Sequence, residues 1–132
     1  MSAIVVITTV GTEEQANTLA RELVARRHAA CVNIVPGLKS FYRWQGKLSH
    51  DTELMLVIKT LDSEFDAVAA TIQELHSYEL PEIVCFTMSG GEERFLAWIA
   101  ECVDKSAAAV EDDEDEEDED AEEDEPAFGD QD

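Results

Sequence analysis

The side chains best suited to bind a metal ion lie in residues 76–83, HSYELPEI. His76, Glu79 and Glu82 could bring one imidazole and two carboxylates to a single cation. Such a mixture of nitrogen and oxygen ligands suits Zn, Mn, Ni or Cu(II) better than Ca. The alternative is structural: His76 ends a helix, and the glutamates bond to backbone groups or to basic side chains of a neighbour. We favour this alternative, because the loop that contains Pro81 leaves the relative positions of these three side chains undetermined, and their spacing therefore does not identify a metal site.

The three cysteines are a second group of possible ligands. A thiolate binds copper or zinc tightly, and Cys31 is the candidate among them. Each cysteine lies within an apolar run, and the chain has no C-x-x-C spacing and no Cys-His pair. We therefore expect Cys31, Cys85 and Cys102 to be reduced thiols packed in the core, where burial lowers thiol reactivity.

A third group of side chains could line a cleft between subunits. Its rings would form the walls, and its cations would attract a small anion. The compatible alternative, which we favour, is that Tyr42 and Trp44 anchor an interface through their large rigid surfaces. Asn33 lies within an apolar strand, where an amide needs a partner, and we expect that partner across the interface. The group consists of Asn33, Tyr42, Arg43, Trp44, Lys47, Lys59 and Tyr78.

The residues that could act in catalysis do not form a recognisable set. The three histidines occupy dissimilar contexts, and no Ser-His-Asp or Cys-His arrangement can be identified. The segment Ser89-Gly90-Gly91 lacks both the Walker and the G-x-G-x-x-G patterns, so we interpret it as the turn before a helix. The sequence predicts no enzymatic activity and no required cofactor, with a divalent metal such as Cu or Zn as a possible ligand.

Charge divides this chain of 132 residues into two parts. Of its 31 acidic residues, 16 lie at positions 111–132. Residues 1–110 contain the other 15 acidic residues and all nine Lys and Arg, so their net charge is −6, whereas the whole chain has a net charge of −22. Residues 111–125 contain 14 acids, whose mutual repulsion predicts disorder. We therefore predict a folded domain at residues 1–105 and a polyacidic tail at residues 106–132, which we interpret as solvating rather than metal-buffering.

Composition also restricts the partners and the compartment. A negatively charged domain argues against nucleic acid, whose phosphates require a basic face. No apolar segment approaches the length that a bilayer requires, so no membrane partner is expected. The first ten residues, MSAIVVITTV, have no cationic region typical of a signal peptide. We expect a cytoplasmic protein.

Residues 4–103 alternate between β-branched apolar runs and amphipathic segments, in the order β-α-β-β-α-β followed by one helix. Thr12 and Gln15 have the spacing of a capping box for the first helix, and Ser63 could cap the second. Gln45-Gly46-Lys47 is a plausible hairpin turn. The predicted strands are residues 4–10, residues 29–35 with an extension at 38–44 after a Pro36-Gly37 corner, residues 53–60 and residues 82–88.

This order predicts an α+β fold, the ferredoxin-like split β-α-β sandwich, because two right-handed crossovers then share one antiparallel sheet. The first two helices would cover one face of the sheet, and the other face has no equivalent cover within the chain. An exposed hairpin bearing Phe41, Tyr42 and Trp44 would aggregate unless another chain covered it. We therefore expect self-association.

Three segments, in this order, resemble the CutA family of divalent-cation tolerance proteins: AACVNIVPGLKSFYRWQGK, HSYELPEI and FLAWI. The resemblance extends from about Ile4 to Val103. It implies a homotrimer with a PII-like assembly and a role in tolerance to divalent cations, copper in particular. Two positions depart from the family pattern. Ser77 replaces a proline, and Thr8 replaces the cysteine of some metal-linked members. We therefore do not expect this chain to have the soft-metal site that depends on that cysteine.

Two other functions are compatible with the predicted fold. One is a PII-like regulator that binds a small anionic or nucleotide ligand, although no long effector loop and no basic phosphate site are evident. The other is a small acylphosphatase-like hydrolase, which would require a phosphate-binding loop with an arginine near the first strand. The residues after that strand, VGTEEQ, supply acids instead, so we disfavour the hydrolase.

Overall fold

A computed structural model describes residues 1–106 of the chain. Within this range a 3₁₀ turn, Asp62–Glu64, separates the third strand from the second helix. Apart from Ser106, the predicted polyacidic tail lies outside the described residues. The strands and α-helices are, in order, β1 (Ala3–Val10), α1 (Glu13–Ala25), β2 (Cys31–Trp44), β3 (Lys47–Leu61), α2 (Phe65–Leu75), β4 (Val84–Thr87) and α3 (Glu93–Cys102).

The four strands form one antiparallel sheet in the order β2-β3-β1-β4. Strands β1 and β3 lie in the centre, and each of the helices α1 and α2 connects one strand to a strand that is not its neighbour. This is the interleaved β-α-β arrangement of the ferredoxin-like fold. The predicted fold class is therefore confirmed. None of the helices in the described part of the chain has the length and apolar character needed to cross a bilayer.

The main core lies between the sheet and the helices α1 and α2. Alternate residues of β1 point into it, as do alternate residues of β3, because side chains two apart share a face of a strand. Burying each Leu or Ile side chain contributes about 1.5–3 kcal/mol. Its largest fully buried members are Ile4, Val6, Val10, Leu19, Leu23, Leu56, Ile58, Val68 and Ile72.

The two long helices begin differently. The hydroxyl of Thr12 accepts a hydrogen bond from the Gln15 amide at 3.1 Å, which confirms this half of the predicted capping box. The prediction that Ser63 caps α2 is wrong: Glu64 precedes the helix, and no side chain caps it. The reason is that Ser63 lies inside the 3₁₀ turn Asp62–Glu64 and therefore not at the position that directly precedes α2.

Strands β2 and β3 form a long hairpin, and we call its outer part, residues 38–53, the arm. Pro36-Gly37 is not the predicted corner but a bulge between Val35 and Leu38 within a continuous strand. Gly37 has a φ of +79°, which glycine adopts without a steric penalty. The two residues at the tip, Gln45 and Gly46, have φ values of +52° and +80°. Positive φ at both positions matches a type I′ turn, so the turn is where it was predicted.

Helix α3 covers one end of the second face of the sheet. Ile99 is fully buried there, and Val103 packs with Ala30 and Leu61 in the same small cluster. The prediction that this face lacks cover within the chain is thus corrected in part. Much of the face remains open, since Phe86 is 59% exposed and Trp98 is 41% exposed.

The cysteines are less buried than predicted. All three are free thiols; Cys31 and Cys102 are half-buried, and Cys85 is exposed. The prediction of a buried thiol is therefore wrong for Cys85. It lies on β4, a short edge strand whose four residues are all exposed in the single chain. An apolar run at the edge of a sheet is not covered on both faces, as it would be in the centre.

Candidate functional site

A cleft of about 780 Å³ lies between the arm and the loop that follows α2, beside the end of β1. One wall consists of arm residues, and the other consists of residues 78–82. This volume is within the range of pockets for small molecules. The lining residues are Thr9, Ser40, Phe41, Tyr42, Trp44, Asp51, Glu53, Tyr78, Glu79, Leu80, Pro81 and Glu82.

The strand register explains the composition of the arm wall. Ser40, Tyr42 and Trp44 are spaced by two along β2, so their side chains share one face of the hairpin. Directly paired residues also share a face, and Ser40 pairs with Asp51. The same face carries Glu53, which is two residues from Asp51. The arm therefore presents its tyrosine, its tryptophan and two carboxylates to the cleft.

His76 holds the opposite wall in place. Its Nδ1 accepts a hydrogen bond from the Tyr78 amide at 3.0 Å. An imidazole nitrogen that accepts is unprotonated, so the proton lies on Nε2, which donates to the carbonyl of Thr9 at 2.7 Å. The ring thus ties the loop after α2 to the end of β1.

Tyr78 joins the two walls of the cleft. Its hydroxyl donates to Glu53 Oε2 at 2.7 Å, and the glutamate is only 7% exposed. Burial is the largest cause that raises the pKa of Tyr78 well above its ordinary value, and this hydrogen bond is the second largest. The phenol also lies close to the backbone after β1, because a Cβ at Gly11 would be 3.1 Å from the hydroxyl oxygen.

Tyr42 makes a similar bond on the arm itself, where its hydroxyl donates to Asp51 Oδ2. This hydrogen bond is the main cause that raises the pKa of Tyr42. Both tyrosines therefore stay protonated to high pH, and both act as donors to carboxylates.

The charge of the cleft is negative. Four carboxylate residues line it, and no Lys, Arg or His does so within residues 1–106. The cation-lined cleft for an anion was predicted between subunits rather than within one chain, so it stays a prediction. Of the three predicted cations, Lys59 lies 6.0 Å from the centre of the Phe95 ring, and Arg43 and Lys47 do not reach the lining. A lining of this charge attracts cations instead.

The predicted metal ligands are not assembled into one site. Both nitrogens of His76 are engaged within the chain, whereas Glu79 and Glu82 line the cleft and have no hydrogen-bond or ion-pair partner among residues 1–106. Across those residues, no three His, Cys, Asp or Glu side chains form a group that could hold one ion. As the structural alternative proposed, His76 directly follows the last residue of α2.

Cys31 and Asn33, two other predicted site residues, lie away from the cleft at the start of β2. The Cys31 thiol is 3.8 Å from Asn33 Oδ1, a weak contact. Asn33 is exposed in the single chain, so its amide is not the buried group that the apolar strand suggested. A partner for Asn33 across an interface stays a prediction.

Sequence reasoning missed the two carboxylates of the arm wall. Asp51 and Glu53 are spaced by two, as are Ser40 and Tyr42 on the facing strand. That spacing is the signal that could have identified them, but it becomes informative only when the register of the hairpin is known.

A family model described as CutA1 divalent ion tolerance protein matches residues 4–102. The divalent-cation tolerance protein CutA of Thermus thermophilus is 47% identical over 97 residues, which cover 74% of this chain and 94% of that protein. A solved structure of the Thermus thermophilus protein aligns with a TM-score of 0.76 and 45% identity, covering 77% of this chain and 99% of that one.

Two further relatives have names that indicate different compartments. Protein CutA 1, chloroplastic, of Oryza sativa is 40% identical over 97 residues, and the match spans 74% of this chain but only 55% of the plant protein. The solved structure described as the periplasmic divalent cation tolerance protein CutA of Archaeoglobus fulgidus has a TM-score of 0.76 and 35% identity, covering 77% of this chain and 99% of that one.

Proposed function

Because this chain belongs to the CutA1 family of divalent ion tolerance proteins, we propose that it acts in tolerance to divalent cations, copper in particular, as a non-enzymatic cytoplasmic homotrimer. The observation that carries the proposal is the family match over residues 4–102. The acidic cleft supports it, since a negative lining concentrates cations. The same lining disfavours the alternative of an anionic or nucleotide ligand at this cleft.

Self-association is supported by the apolar surface of the single chain. Leu48 is 80% exposed and Phe41 is 64% exposed on the arm, and Phe86 is 59% exposed on the edge strand. Such surfaces are usually covered by another chain. The number three comes from the resemblance to the family.

For the metal, we propose Cu(II) or Zn(II) held at the loop wall by Glu79 and Glu82. These carboxylates have no partner among the described residues, so a cation would not need to displace an existing bond. His76 would join them only if its ring released the Thr9 carbonyl or the Tyr78 amide. Cys31 is a weaker candidate because it lies away from the cleft.

Calorimetric titration of the full chain with Cu(II) and Zn(II) tests this proposal. We expect Glu79→Gln with Glu82→Gln to weaken Cu(II) binding by about tenfold or more, equivalent to about 1.4 kcal/mol. The matched control is Glu13→Gln with Glu14→Gln, which removes two carboxylates from the exposed first turn of α1. The acidic tail is common to all three proteins, so their difference isolates the cleft. Equal affinities in all three would remove Glu79 and Glu82 from the proposal.

A further inference from the structure

We propose that the cleft between the arm and residues 78–82 binds an organic cation through its ammonium or guanidinium groups. The inference is independent of metal binding, because it rests on the aromatic walls and on the distribution of the carboxylates. The cation has two possible sources: a free amine, or a lysine or arginine side chain of a second copy of this chain.

The walls of the cleft combine the two features that recognise organic cations. Tyr42, Trp44 and Tyr78 provide aromatic rings, and the faces of such rings attract ammonium and guanidinium groups. Carboxylates accept charge-assisted hydrogen bonds from the same groups. Aromatic rings are not ligands of Cu(II) or Zn(II), so a metal ion would leave these walls unused.

The carboxylates of the cleft are spread over both walls. Asp51 and Glu53, two residues apart on β3, are separated by roughly 7 Å along the strand, and Glu79 and Glu82 lie across the cleft on the loop. In the described chain they do not form a group that could hold a single ion. An extended ligand with its positive charges some distance apart matches this distribution, and about 780 Å³ accommodates one.

Glu53 is the most informative of the four carboxylates. It is more than nine-tenths buried, and Tyr78 satisfies its Oε2 atom. Its other oxygen, Oε1, has no hydrogen-bond partner among residues 1–106 and is not sealed from solvent. A largely buried carboxylate with one satisfied and one open oxygen is a fixed acceptor for a cation.

The second possible source of the cation lies on the other face of the arm. Lys39, Phe41 and Arg43 are spaced by two along β2, on the face opposite Tyr42 and Trp44. Lys39 and Arg43 are exposed and have no ion-pair partner among the described residues. A second copy could therefore insert one of these side chains into the cleft, since the opposite charges attract.

Titration of the full chain with putrescine and with arginine at physiological salt tests the inference. Trp98→Phe leaves Trp44 as the sole tryptophan, so that its fluorescence reports on the cleft rather than on the acidic tail. We expect a saturable fluorescence change, weakened about tenfold or more by Asp51→Asn. The pair Glu13→Gln with Glu14→Gln is the control and should leave the amine affinity unchanged. The neutral analogue 1,4-butanediol should not bind.

The variant Lys39→Gln with Arg43→Gln distinguishes the two sources. If a side chain of a second copy occupies the cleft, the parent protein will bind no free amine, whereas this variant will bind it and assemble less tightly in sedimentation experiments. If the ligand is a free amine, both proteins will bind it equally. The inference is overturned if neither protein binds amine, or if binding is insensitive to Asp51→Asn. Neither of these two results would bear on the Cu(II) and Zn(II) titrations, so failure of this inference can be distinguished from failure of the proposed metal binding.

Discussion

The hydroxyl of each tyrosine donates a hydrogen bond to a carboxylate in the cleft, but the two carboxylates differ in burial. Glu53, the partner of Tyr78, is 7% exposed, whereas Asp51, the partner of Tyr42, is an exposed residue of the arm. Solvent can replace a lost partner for Asp51 but not readily for Glu53. The two bonds therefore contribute unequally to stability.

We expect Tyr78→Phe to lower the free energy of unfolding by about 1–3 kcal/mol, because it leaves a buried carboxylate oxygen without its donor. Tyr42→Phe is the matched control, and its effect should stay within about 0.5 kcal/mol. Urea unfolding followed by circular dichroism at one protein concentration measures both. Equal losses in the two variants would show that the burial of Glu53 does not matter.

Alkaline titration tests the raised pKa of both phenols. The folded pKa of each lies above the ordinary value of 10.0, so each hydrogen bond stabilises the fold fully below that pH. The stabilisation is lost as the pH rises through the folded pKa. We expect phenolate absorbance to appear at higher pH in the native protein than in urea, where both tyrosines titrate near the ordinary value. Coincident titration curves would contradict the two hydrogen bonds.

At the scale of the elements, the loop after α2 depends on a few contacts for its position. His76 bonds to the Thr9 carbonyl and the Tyr78 amide, and Ser77 bonds to the side chain of Gln15 on α1. The bonds of His76 join the end of α2 to the end of the central strand β1. The loop wall of the cleft is therefore positioned by contacts with β1, α1 and β3 rather than by its own structure.

We expect His76→Ala to loosen residues 76–82 and to increase the rate of amide hydrogen exchange at Tyr78, because the variant removes the acceptor of that amide. The expected loss of stability is about 1–2 kcal/mol. Glu79→Gln, which changes an exposed side chain of the same loop that has no partner among residues 1–106, is the control and should leave exchange at Tyr78 close to that of the parent protein. Unchanged protection in His76→Ala would mean that other contacts hold the loop.

At the scale of the whole molecule, apolar surface concentrates on the arm and on the open face of the sheet. Trp44 and Tyr42 are each 40% exposed, and Phe86 on β4 is 59% exposed. The helices α1 and α2, in contrast, cover their face of the sheet well, and nine large apolar side chains are fully buried between the helices and the sheet. The core is thus complete on one face of the sheet, whereas α3 covers only one end of the other face.

We expect Trp44→Ala to weaken self-association by about 2 kcal/mol, or roughly 30-fold in the dissociation constant, because it removes a large rigid anchor. Val24→Ala is the control: Val24 on α1 is 44% exposed, similar to Trp44, but it lies away from the arm. Sedimentation velocity over a dilution series measures both variants. Assembly of Trp44→Ala that matches the parent protein would show that the arm is not an interface.

The sequence by itself determined the elements, their order and the fold class. The β-branched apolar run of β1 and the Thr12 cap of α1 are local patterns, and Gln45-Gly46 is a local turn signal, so each could be recognised without knowing what lies nearby. The segment HSYELPEI, singled out from the sequence as a candidate metal site, supplies five of the residues that line the cleft: Tyr78, Glu79, Leu80, Pro81 and Glu82.

Only the tertiary structure decided which side chains meet. The strand register brings Asp51 and Glu53 opposite the loop, the edge position of β4 exposes Cys85, and the fold of α3 onto the second face buries Ile99. These outcomes depend on contacts between residues far apart in the chain. The period of two along a strand shows which residues share a face, but it does not show what packs against that face. The charge of the cleft could therefore not be predicted from local sequence patterns.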